Sequence, residues 1–112
     1  MNGWVGIDLD GTLAEYDYWR GSEHIGAPIP LMVERVKRWL VEGKDVRILT
    51  ARVSSNNPDR EISFGVIRDW LIEHVGIELP VTAEKDYMMC ECWDDRCIQV
   101  IPNTGIALQD TI

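Results

Sequence analysis

The feature that most limits what this chain can fold into is an apolar strand that runs directly into acid. Residues 4–9, Trp4-Val5-Gly6-Ile7-Asp8-Leu9, open with four positions that are apolar on both faces, as a buried parallel strand requires, and the segment stops at Asp10-Gly11-Thr12. Helix-like and strand-like segments alternate after it, which favours a parallel sheet flanked by helices. Pro30 opens a helix to about Glu42, with Met32, Val33, Val36, Trp39 and Leu40 at helical spacing and Gly43 placed to stop it. Residues 46–50 read as a second strand, followed by the polar turn Ser54-Ser55-Asn56-Asn57-Pro58. A second helix is expected from about Asp59 to His74, with Ile62, Val66, Ile67, Trp70 and Leu71 on its apolar side. Residues 80–83 read as a third strand, 91–95 as a fourth and 98–101 as a fifth. Residues 14–29 lack a sustained period and read as a loop or short hairpin over the end of the first strand.

The length of 112 residues sets a ceiling of one domain, 1–112, burying roughly two thirds of its unfolded surface. The expected architecture is α/β, a three-layer Rossmann-like fold with a central, mainly parallel sheet flanked by helices. Nineteen acidic against eleven basic residues argue against a broad basic face gripping a nucleic-acid backbone, but leave room for a local basic pocket. The longest apolar runs are strand-sized, far short of the roughly 20 residues a bilayer span needs, so no membrane partner is expected. Met1-Asn2-Gly3 has neither the basic start nor the cleavage site of a secretory signal, which makes a cytoplasmic location the expectation. Cys90, Cys92 and Cys97 are odd in number and fit reduced thiols of an intracellular protein. They lack a fourth ligand and the two-residue gap of a zinc knuckle, so they are expected to pack in the core.

The informative polar residues sit where predicted strands stop: Asp8 with Asp10, Thr50 with Arg52, Lys85, and Asp94 with Asp95. In an open parallel sheet these ends share one edge, where ligands bind. Carboxylates a few ångström apart repel by roughly 4 kcal/mol at an effective dielectric of 20 unless a cation joins them. Oxygen-only ligation beside a substrate phosphate suits Mg²⁺.

This set, in this order, resembles the haloacid dehalogenase superfamily of aspartate-nucleophile phosphatases. In that family a first strand ends in Asp-x-Asp-Gly-Thr, a second in Thr or Ser, a Lys follows, and a further strand ends in paired acids. The corresponding residues are Asp8-Leu9-Asp10-Gly11-Thr12, Thr50 in Leu49-Thr50-Ala51-Arg52, Lys85, and Asp94-Asp95-Arg96. The resemblance implies a Mg²⁺-dependent hydrolase of phosphate monoesters. Asp8 would attack phosphorus to give an aspartyl-phosphate. Asp10 would act as general acid and then general base, with its main-chain carbonyl on the metal. Gly11 permits the tight departure from the strand and Thr12 holds it. Thr50 would hydrogen-bond a phosphoryl oxygen and Lys85 would neutralise the equatorial oxygens. Asp8, Asp10, Asp94 and Asp95 make up the implied metal set, and which of Asp94 and Asp95 is the direct ligand stays open. Arg52 would contact phosphate or pair with Asp95 or Asp59.

Lys85 precedes Asp94 by only nine positions, a spacing similar to that of small capless relatives. Residues 13–29 and 51–84, where such families insert cap domains, hold a flap and one helix, so no cap is expected. An uncapped site implies a large substrate, or a partner subunit of a homo-oligomer that covers it. Tyr16, Tyr18, Trp19, Arg20 and His24 would either stack on a base or anchor the flap to the core. The segments around Ile25–Pro30 and Leu49–Val53 also resemble small phage and bacterial hydrolases and the phosphatase modules that trim polynucleotide ends, which makes a nucleotide or polynucleotide end a candidate substrate. The rival readings are a phosphotransferase or phosphomutase of the same fold, and a non-catalytic phosphate- or partner-binding module.

Overall fold

A computed structural model of the chain describes residues 2–111. Its ordered elements are β1 (Trp4–Ile7), α1 (Pro30–Val41), β2 (Asp45–Leu49), α2 (Arg60–His74), β3 (Val81–Thr82) and β4 (Met89–Trp93), with short 3-10 turns at Ala51–Val53 and Leu108–Thr111. The four strands form one sheet in the order β3-β2-β1-β4, and every pairing is parallel. The α/β class and the parallel sheet expected from the sequence are therefore present.

Residues Val5 and Ile7 pair with Val46 and Ile48, so these four side chains share one face of the sheet. They join Met32, Val33, Val36 and Trp39 of α1 and Ile67, Trp70 and Leu71 of α2 in a single buried cluster. Both long helices thus cover the same face, so sheet and helices form two layers where the sequence reading expected three. That placement follows from the strand order: β1 to β2 and β2 to β3 step in the same direction, and right-handed crossovers put both connecting helices on one side. Opposite them Trp4 is buried outside this cluster. Its indole Nε1 donates to Asp86 Oδ1 at 2.7 Å, and the Arg47 guanidinium lies 5.0 Å from its ring. β3 and β4 are joined by residues 83–88, too few for a helix, and so no helix covers this side among the described residues.

α1 begins at Pro30, whose missing N–H costs nothing at the first helical position, and ends where Gly43 turns at φ +81°. α2 runs as predicted, with Ile67, Trp70 and Leu71 buried as expected, and it departs from expectation in its first turn. Ile62 is exposed while Ser63 is fully buried, in line with Ile67, Trp70 and Leu71. A count of apolar residues favours Ile62, but the 3.6-residue period from Ile67 and Trp70 reaches position 63. The Ser63 hydroxyl has no hydrogen-bond partner among the described residues. The expected fifth strand is absent: residues 98–101 are irregular apart from an isolated bridge between Val100 and Ala107. No helix of the described residues is long and apolar enough to cross a membrane.

Candidate active site at the carboxyl edge of the sheet

The parallel arrangement brings the ends of β1, β2, β3 and β4 to one edge. A cleft of about 660 Å³ opens there, lined among others by Asp8, Asp10, Thr50, Arg52, Asp94 and Asp95. Past Ile7 the chain stays extended for one more bond, Asp8 N–H to the Trp93 carbonyl at 2.9 Å, and then turns. Leu9 is fully buried, so Asp8 and Asp10 on either side of it are directed to the cleft. The Leu9 carbonyl closes the turn by accepting from the amides of Leu13 and Ala14 at 3.0 and 2.9 Å. Gly11 sits in this turn at φ +92°, where a β-carbon would also run into the Asp95 carboxylate. Glycine is thus required twice over, by conformation and by space.

One carboxylate oxygen each from Asp8, Asp94 and Asp95 lies within 4.8 Å of the others. Thr12 holds the group together. Its hydroxyl is 3.1 Å from Asp95 Oδ1 and 3.5 Å from Asp8 Oδ2, donating to one at a time, and it accepts from the Asp95 amide at 3.0 Å. Burial, a hydrogen bond shared with Asp95, and the charges of Asp94 and Asp95 push the Asp8 carboxyl up to about 7. Without a cation, the Asp8 carboxyl therefore holds its proton about half of the time at neutral pH. A divalent cation would replace that proton, and the donor set fits one: an octahedral Mg²⁺ holds oxygens at about 2.1 Å, so its ligand oxygens lie about 3 to 4.2 Å apart.

Asp10 does not join this cluster. Both of its oxygens accept from Arg52, Nε to Oδ2 at 2.8 Å and Nη2 to Oδ1 at 2.9 Å. Of the two acids that the sequence offers Arg52 besides phosphate, the structure uses neither: Arg52 pairs with Asp10, Asp59 accepts from Ser22, and Arg52 lines the cleft. Arg52 is only 6% exposed, and two of its three remaining N–H bonds donate to the carbonyls of Ser22 and His24 at 3.3 and 2.8 Å. One guanidinium therefore joins the first strand's second acid to the flap of residues 14–29. No sequence pattern announces this role, because the partners lie 28 to 42 positions away.

The flap is fastened by its backbone. Ala14 bridges Pro28, Glu15 N–H donates to the Ala27 carbonyl at 2.8 Å, and the Trp70 indole donates to the Gly26 carbonyl at 3.0 Å. Its aromatics are not anchors in the core: Tyr16, Tyr18 and Trp19 are 49%, 62% and 52% exposed. Tyr16 and Trp19 line the cleft, and the Arg52 guanidinium lies 4.8 Å from the Trp19 ring.

Thr50 is buried, and its Oγ1 accepts from the Arg52 amide at 3.2 Å, leaving the hydroxyl proton available to a ligand in the cleft. Lys85 lies in the exposed connection between β3 and β4 and is not among the cleft-lining residues, because β3 already ends at Thr82. Arg96, which the sequence reading left without a role, does line the cleft, beside an Asp94 carboxylate that accepts from its amide at 2.8 Å. The cysteines depart from the expected core packing: all three are free and exposed, Cys90 and Cys92 because β4 is an edge strand with no α-helix over its outer face, and Cys97 because it lies in the irregular segment after that strand.

No family model matches the chain, and no curated protein matches it. Among solved structures it is similar to a conserved protein coded by a locus of Bacteroides thetaiotaomicron, with a TM-score of 0.60 and 20% identity, covering 92% of this chain and 84% of that one. At that identity the likeness extends to the parallel α/β fold and no further.

Proposed function

We propose that the protein is a capless phosphohydrolase of the haloacid dehalogenase type, a Mg²⁺-dependent phosphomonoesterase that works through an aspartyl-phosphate on Asp8. The observation that carries this reading is the convergence of Asp8, Asp94 and Asp95 to within 4.8 Å at the carboxyl edge, beside the Thr50 hydroxyl and Arg96. Asp8, Asp94 and Asp95 would hold Mg²⁺, which supplies charge neutralisation for the phosphoryl oxygens and keeps Asp8 ionised.

Asp8 Oδ attacks phosphorus in line, forming an O–P bond as the bond to the leaving oxygen breaks, and the leaving oxygen takes a proton. Water then cleaves the acyl-phosphate, regenerating the carboxylate and releasing inorganic phosphate. Thr50 donates its hydroxyl to a non-bridging oxygen, and Arg96 supplies the positive charge that the sequence resemblance implied for Lys85. Asp10 carries the proton in both steps. Since both its oxygens are engaged by Arg52, it must loosen one of those bonds to do so.

The half-exposed Tyr16 and Trp19 at the rim of the cleft favour a substrate with a flat group beyond the phosphate, such as a nucleotide or polynucleotide end. An open cleft of this kind also suits closure by a large substrate or by a partner subunit. Free, exposed thiols fit the reducing cytoplasm.

The test is turnover of p-nitrophenyl phosphate with added Mg²⁺. Asp8→Asn should abolish turnover without loss of the circular-dichroism signature of the fold, and chelation should stop the wild type reversibly. Full activity in Asp8→Asn, or in excess chelator, would overturn the mechanism.

A further inference from the structure

A second group of ligand atoms adjoins the carboxylates but is of different chemistry. Cys92, the penultimate residue of β4, points away from the helices: Trp93, beside it, packs its ring edge-on against Trp39 of α1 at 5.1 Å, and strand alternation turns Cys92 to the opposite face. The chain then passes Asp94 and Asp95 and folds back, so that Cys97 comes near Cys92 again. One ligand atom from each of Cys92, Asp94 and Cys97 lies within 4.8 Å of the others, and both thiols are accessible to solvent.

Two sulfurs and one carboxylate oxygen are a poor set for Mg²⁺ and a good one for a thiophilic ion. A tetrahedral Zn²⁺ with bonds of about 2.3 Å to sulfur and about 2.0 Å to oxygen spaces its ligands about 3.5 to 3.8 Å apart, within the span present here. Three protein ligands leave a fourth position for water. The zinc-knuckle spacing absent from the sequence is not needed, because the return of residues 94–97 supplies the approach that a two-residue gap would otherwise enforce. Cys90, two positions earlier, is excluded: its sulfur donates to the Trp4 carbonyl at 3.4 Å.

We propose that Cys92, Asp94 and Cys97 form a binding site for a thiophilic divalent cation of the Zn²⁺ or Cd²⁺ class, and that this site shares Asp94 with the carboxylate cluster. Sharing makes the two sites interdependent. An ion held by the thiols draws Asp94 away from Asp8 and Asp95, and therefore weakens any hard cation held there. The thiol site itself stands whether or not Asp8 is a nucleophile.

The experiment is a Cd²⁺ titration of the reduced full-length chain, followed by the ultraviolet thiolate-to-metal absorption band. One equivalent should saturate the band. Cys92→Ser, Cys97→Ser and Asp94→Asn should each weaken binding by at least about tenfold, and Cys90→Ser should leave it unchanged. A footprint that needs no variant accompanies it: one equivalent of Cd²⁺ should protect Cys92 and Cys97, but not Cys90, from alkylation by iodoacetamide, read by mass spectrometry. Wild-type affinity in Cys92→Ser or Cys97→Ser, or no protection of those two thiols, would overturn the site. Wild-type affinity in Asp94→Asn would overturn the sharing.

Discussion

Replacing Asp8 by Asn should make the metal-free protein more stable while destroying its proposed activity, and the size of the gain follows from the burial of its carboxyl and, after that, from the acids around it. The Asp8 carboxyl is raised from 3.8 to about 7 in the fold. Each unit corresponds to about 1.4 kcal/mol, which puts a ceiling of about 4 kcal/mol on the cost of ionising it in place. Solvent on the open side of the cleft and the proton shared with Asp95 reduce this to about 2 kcal/mol. The sign is fixed by proton counting. Between pH 4 and 7 the folded state holds a proton on Asp8 that the unfolded chain has lost, so wild-type stability falls as pH rises through that window and is level above it. Asn cannot ionise and escapes that loss. Urea unfolding with chelator present should therefore show Asp8→Asn more stable by about 2 kcal/mol at pH 8, with the gain shrinking to about half a kcal/mol at pH 4. Added Mg²⁺ should stabilise the wild type and not the variant, since an ion that binds only the folded state adds to its stability. No gain at pH 8, or a gain that is the same at both pH values, would refute the reasoning that burial and the neighbouring acids make Asp8 costly to ionise.

Further outcomes follow from other contacts. Arg52→Met should cost about 3 to 5 kcal/mol in urea unfolding, because it strands the Asp10 carboxylate and two flap carbonyls, and hydrogen exchange should rise at the amides of residues 22–24. Arg96→Ala should raise KM for p-nitrophenyl phosphate about tenfold or more while Lys85→Ala leaves it within twofold, since only Arg96 lines the cleft; the reverse order would restore Lys85 to the site. Ser63→Ala should raise Tm, with a gain of about 1 kcal/mol, because the buried hydroxyl lacks a partner and alanine is the better helix former.

The parts of the fold that are legible in the sequence are those decided locally. β1 and β2 can be read because they are short apolar runs with polar stops, and both helices because their buried residues recur at helical spacing around Trp39 and Trp70. The acids Asp8, Asp94 and Asp95 can be placed together from sequence because each follows a strand end and parallel strands share that edge. What depends on distant partners is not legible. Arg52 finds Asp10 and the flap carbonyls through the way α1, β2 and the flap come together, and nothing next to Arg52 encodes it. The phase of α2 at Ser63 is set by the sheet face it meets, and local hydrophobicity favours its neighbour. The cysteines carry the composition of core residues, yet Cys90 and Cys92 lie on an edge strand whose outer side has no α-helix over it and Cys97 lies in the irregular chain beyond it.

The Arg52 side chain has consequences for how the protein would respond to a ligand. A guanidinium is a rigid plane, so its grip on Asp10 and its grip on the Ser22 and His24 carbonyls cannot be adjusted separately. Whatever tugs on one end is transmitted to the other as a tilt of the same plate. Filling the bottom of the cavity would therefore be felt at its mouth without any chain of intermediates, through a lever one residue long.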